Sequence, residues 1–96
     1  MKTCDALKLI QKSDSLVMDA GAASSWLGAD ENLSKYKNDD IVLSIEADNE
    51  NYEFYYSFTK KNLLDAAIIK NKVFLKDEEN NDCIISCFKS VPVMLN

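Results

Sequence analysis

The sequence predicts a single α+β domain spanning residues 1–96: a small antiparallel sheet built from two β-hairpins, with an N-terminal helix and a short second helix packed on one face. Three observations carry this expectation. Apolar residues near the N-terminus recur at helical spacing. Two later stretches alternate with a period of two, each interrupted by an Asn/Asp-rich link. At 96 residues the chain has the length of one domain and buries enough surface to fold without disulfides or metals. Helices covering one face of an antiparallel sheet give an α+β domain.

The elements follow in order. Residues 3–12 read as a helix, with Thr3 as N-cap, Asp5 in the first turn, and Ala6, Leu7 and Ile10 on its apolar face. Leu16-Val17-Met18 fits either an extension of that helix or a short strand, and Gly21 marks a break. Residues 22–28, small and weakly polar around Trp26, read as irregular, and 30–40 as loop. Trp26 fits either the core or an interface. From Ile41 the period becomes two. Ile41, Leu43, Ile45 and Ala47 share one face, and after the link at 48–51 Tyr52, Phe54, Tyr56 and Phe58 continue the pattern. Thr59 is placed to cap a short helix over 62–67. Residues 73–76 and 83–88 form the second hairpin around the acidic link 77–82, and Pro92 confines any later strand to an edge.

Composition removes several classes of function. The N-terminal stretch is broken by Asp5, Lys8, Gln11 and Lys12, so it does not read as a secretory signal, and no apolar run is long enough to span a membrane. Three cysteines, Cys4, Cys83 and Cys87, are too few and too odd in number for a disulfide framework, which points to a reducing compartment, the cytoplasm. Histidine is absent and every basic residue is Lys. A Ser or Cys nucleophile commonly relies on an adjacent His. On a regular strand Cys83 and Cys87 face the same side roughly 13 Å apart, too far to pair or to share a metal. Zinc needs about four close ligands. The acidic links at 48–51 and 77–82 lack the glycine and the ligand spacing of a calcium loop. With two glycines, Gly21 and Gly28, no phosphate-cradling loop is present. The expectation is therefore a protein without enzymatic activity, cofactor or metal. A net charge of −5 also disfavours direct contact with nucleic acid.

Charge distribution is the most distinctive feature. Residues 30–58 hold eight acids (Asp30, Glu31, Asp39, Asp40, Glu46, Asp48, Glu50, Glu53) against Lys35 and Lys37, a balance of −6. Residues 59–76 hold five lysines against Asp65, a balance of +4, and Asp77, Glu78, Glu79 and Asp82 then contribute −4. One reading is self-neutralisation between neighbouring segments. The other is a docking surface for a basic partner, with Glu46, Glu53 and Tyr55 on the solvent face of the first hairpin and Asp39, Asp40, Asp48 and Glu50 at its ends. Acidic surfaces steer encounter with basic partners, and an exposed Tyr supplies an anchor. Small, acidic, catalytically bare proteins of this kind include inhibitors of nucleic-acid-handling enzymes: toxin-immunity proteins and phage-encoded antagonists of bacterial defence, anti-CRISPR proteins among them. That likeness is one of size and charge alone. The alternatives are an accessory subunit, of a phage particle or of a homodimer joined through a strand edge, and a small ligand-binding domain or enzyme.

Overall fold

The computed structural model describes residues 4–19, 21–29 and 32–89. In chain order it contains α1 (Asp5–Gln11), β1 (Ser15–Met18), β2 (Gly21–Gly28), β3 (Ile41–Asp48), β4 (Glu53–Thr59), α2 (Lys60–Leu64), β5 (Ala67–Ile69), β6 (Lys72–Lys76) and β7 (Asp82–Phe88). All seven strands form one antiparallel sheet in the order β4-β3-β2-β1-β7-β6-β5.

This corrects the expected fold class. Among the described residues the fold is mostly β, with 52% strand in a curled half-barrel sheet and two short helices, rather than an α+β domain with a small two-hairpin sheet. Both expected hairpins exist, as β3–β4 and β6–β7, but each is part of a larger meander. Residues 16–18 belong to strand β1, which sits at the centre of the sheet between β2 and β7. Residues 22–28 are not irregular but form most of β2. A register shift between Ala23 and Ser25 breaks their alternation, so no period of two is visible in the sequence. The second helix stops at Leu64, and Ala67–Ile69 turns into an edge strand. Thr3 and Pro92 lie outside the described residues, and the residue at the N-cap of α1 is Cys4, without a side-chain cap.

Local chemistry accounts for the elements that were expected. Asn49 Oδ1 accepts from the N–H groups of Asn51 and Tyr52 at 2.9 and 3.0 Å, closing the tight turn between β3 and β4. At the start of α2, Thr59 Oγ1 accepts from the Asn62 N–H (3.2 Å) while Asn62 Oδ1 accepts from the Thr59 N–H (2.9 Å), a reciprocal cap. Between β1 and β2, Gly21 has φ 148°, and a methyl group there would overlap the Asp48 carbonyl on β3.

The core fills the concave side of the sheet. Leu7 and Ile10 of α1, Leu63 of α2, and Leu16, Leu43, Ile45, Phe58, Val73 and Ile85 of the strands are fully buried. Each contributes about 2 kcal/mol of apolar burial. The helices meet where Cys4 Sγ donates to the Leu63 carbonyl at 3.6 Å. Gln11 Nε2 donates to the carbonyl of Ala29 just beyond β2, holding α1 against the sheet. Trp26 packs against the core on the concave side.

Candidate functional site

The concave face is occupied by core, which leaves the convex face of β2, β3 and β4. Register places six residues there as a grid. Ser25, Glu46 and Tyr55 lie across one row, and Leu27, Ser44 and Ser57 across the next. Asp48 and Glu53 pair directly in the row towards the hairpin turn. The six grid residues line a shallow hollow of about 420 Å³, with serines between Leu27, Tyr55 and Glu46, and Asp48 and Glu53 lie one row beyond it. Tyr55 is 71% exposed and Leu27 80% exposed, both unusual for large apolar side chains.

This face carries negative charge that no ion pair compensates among the described residues. Among the described residues, no lysine reaches ion-pair distance of Glu46, Asp48 or Glu53, and the ion pair that is present, Lys76 Nζ to Asp82 Oδ1 at 3.2 Å, lies across β6 and β7. Self-neutralisation between the acidic and basic stretches thus operates at that hairpin and not at this face. Tyr55 OH donates to Glu53 Oε2 at 2.9 Å. That hydrogen bond, followed by the charges of Glu53 and Glu46, raises the phenol above its ordinary value of 10.0. Ser25 Oγ donates to Glu46 Oε2 at 3.5 Å.

The chain matches no protein-family model and no curated protein sequence.

Of the seven residues expected to bind a partner, the structure groups four: Glu46, Asp48, Glu53 and Tyr55. Glu50 sits in the adjoining turn, exposed to solvent. Asp39 and Asp40 do not join them, because they precede β3 and lie roughly 23 Å away at the usual strand rise. Asp40 has a structural role there. Its carboxylate accepts from the Lys37 N–H (2.9 Å), and its carbonyl accepts from the Lys60 N–H (3.0 Å) at the start of α2. Ser25, Leu27, Ser44 and Ser57 were missed. Ser44 and Ser57 were readable from the hairpin alternation, but Ser25 and Leu27 needed the register of β2, which its irregularity hides.

A second cleft, about 760 Å³, separates α2 from the β6–β7 turn. Lys61 and Lys76 face Asp65, Asp77, Glu78 and Asp82 around it, so its charges are mixed in sign. Cys83 lines it, but burial, with smaller effects from Asp77, Asp19 and Asp82, pushes this thiol up to about 11. A thiol protonated at neutral pH is a poor nucleophile. Cys4 and Cys87 are likewise buried and free. No group of three or more His, Cys, Asp or Glu among the described residues could hold a metal ion, and no helix there is long and apolar enough to cross a membrane.

Proposed function

We propose that this is a non-enzymatic binding protein whose acidic convex face docks on a basic, nucleic-acid-handling partner and inhibits it, as phage-encoded antagonists of bacterial defence and toxin-immunity proteins do. One observation carries the reading: Glu46, Asp48 and Glu53 share a solvent-facing surface with the exposed ring of Tyr55, and no lysine among the described residues neutralises them. Unpaired charge on a surface raises the encounter rate with an opposite partner, and the ring provides desolvated contact area once docked. Asp39, Asp40 and Glu50 add to the long-range field from outside the contact. The same field repels nucleic acid itself. We assign the protein to a reducing compartment, the cytoplasm, a reading that its three free thiols support.

The test starts from capture of a partner in host lysate, identified by cross-linking, followed by affinity measurements on the purified pair. Affinity is expected to fall as salt rises. Combined Glu46→Lys, Asp48→Lys and Glu53→Lys substitution is expected to weaken it about a hundredfold, because like-charge contact costs several kcal/mol. Affinity indifferent to both changes would falsify the reading.

A second reading, a homodimer, draws on β5. This edge strand is exposed throughout and carries Ile68 and Ile69 beside exposed Leu64. Light scattering across a concentration series separates the two, since a monomer at high concentration removes the dimer.

A further inference from the structure

The main-chain edge of β4 has a defined open stretch beside the acidic face. The ladder between β3 and β4 fixes which groups point outward. Asn49 N–H donates to the Tyr52 carbonyl at 3.0 Å, so pairs two residues further along, Ala47 with Phe54 and Ile45 with Tyr56, hydrogen-bond to each other. The N–H and C=O groups of Glu53, Tyr55 and Ser57 therefore point away from β3. The Ser57 carbonyl confirms this parity, because it accepts from the Glu78 N–H on the outer side at 3.0 Å. Further along, the Thr59 N–H is taken by Asn62 Oδ1. Among the described residues, nothing pairs with the outward groups of Glu53 and Tyr55.

Side chains on either side of this edge differ in character. Towards the convex face stand Glu53 and Tyr55, with Glu46 one strand behind. Towards the concave side stand Tyr52, 66% exposed, and Phe54, its ring 6.2 Å from that of Tyr52. A strand laid against this edge would present alternate residues to an acidic surface and to two aromatic rings. We propose that the β4 edge accepts an extended segment of the partner as an eighth, antiparallel strand, its sequence alternating basic with apolar residues. The inference rests on the acidic-face reading above and specifies how the partner is held: main-chain hydrogen bonds supply the pairing and the alternation supplies the selection. Charge complementarity argues against a second copy at this edge, since pairing β4 with itself would bring two copies of the same acidic face side by side.

The test uses the full chain and synthetic peptides of about nine residues, long enough for one strand. One peptide alternates Lys and Val. A second has the same sequence with alternate main-chain nitrogens methylated, so that it keeps its charge but cannot pair. A third has the same composition with its lysines in one block. Binding is followed by amide chemical shifts and hydrogen exchange. The alternating peptide is expected to bind, to slow exchange at Glu53 and Tyr55, and to bind roughly tenfold more tightly than the methylated and block forms. Failure of the alternating peptide to bind at millimolar concentration overturns the inference. So does equal binding of all three peptides with unchanged exchange, and in that case weakening of all three by Glu46→Lys with Glu53→Lys still leaves the acidic face standing. If those substitutions leave the alternating peptide unaffected while methylation still weakens it, the edge stands and the electrostatic reading falls. Concentration-dependent protection of Glu53 and Tyr55 in the free protein would show a second copy on the edge and would overturn the partner assignment.

Discussion

The backbone N–H of Glu78 donates to the carbonyl of Ser57 across 3.0 Å. These residues belong to opposite halves of the sheet, the β6–β7 turn and the β4 edge, so the bond draws the curled sheet towards closure and brings the two acidic stretches into contact. Glu78 follows Asp77 in a turn closed by the Asn80 N–H on the Asp77 carbonyl (3.0 Å), a position where proline fits. Glu78→Pro should therefore keep the turn and lose this one bond, lowering stability in urea by about 1 kcal/mol. Glu78→Gln, which retains the N–H, should leave it unchanged.

Gly21→Ala tests the junction of β1 with β2. The substitution introduces strain at φ 148° and a methyl group against the Asp48 carbonyl. A loss of about 2–3 kcal/mol is expected in thermal or urea unfolding. Unaltered stability would mean that the backbone at this junction differs from the one described.

Cys83 sets a pH dependence. Its folded thiol holds its proton up to about 11, whereas the free thiol has an ordinary value of 9.0. Between those limits the folded state binds more protons than the unfolded one, so stability falls as pH rises through the window and is fully retained below it. Cys87, raised chiefly by burial, acts in the same direction. Comparison of stability from pH 8 to 11 in wild type and Cys83→Ala should show a shallower decline in the variant. Alkylation followed by mass spectrometry should be slow at Cys83 in the native protein and fast in urea.

Tyr55 reports on the acidic face directly. Ionising its phenol would place a negative charge beside Glu53, so the neutral form is favoured and titration is delayed. Glu53→Gln removes both the acceptor charge and the repulsion, and should move the Tyr55 transition downward in an ultraviolet absorbance titration. A transition at the same pH in both proteins would show that the hydroxyl does not engage Glu53 in solution.

The parts of this fold that were legible in the sequence are those stabilised locally. The alternation from Ile41 to Phe58 and the Asn-rich turn between its halves led to β3–β4, and Thr59 marked the cap of α2, although the helix read over 62–67 spans Lys60–Leu64. The remainder depends on contacts distant in sequence. β2 is hidden by the irregularity between Ala23 and Ser25, and a matching shift between Ile41 and Leu43 lets Val42 and Leu43 both be buried. β5 is three residues long and continues the apolar spacing of the preceding helix, so it reads as more helix. The candidate site divides the same way. Glu46, Asp48, Glu53 and Tyr55 follow from hairpin register, Leu27 and Ser25 from a strand the sequence conceals, and the open edge from hydrogen-bond parity, which side-chain patterns do not encode.

The central position of β1 has a consequence for biosynthesis. Ser15 is made 73 residues before its partner Phe88. On a translating ribosome, β2, β3 and β4 can assemble as soon as they leave the exit tunnel, while the other side of β1 waits, unpaired, for β7. During that interval the nascent protein exposes Leu16 and Met18, which the finished sheet buries, together with a bare strand edge. Chaperone demand should therefore peak between the emergence of β4 and that of β7, and pausing within that interval should favour aggregation.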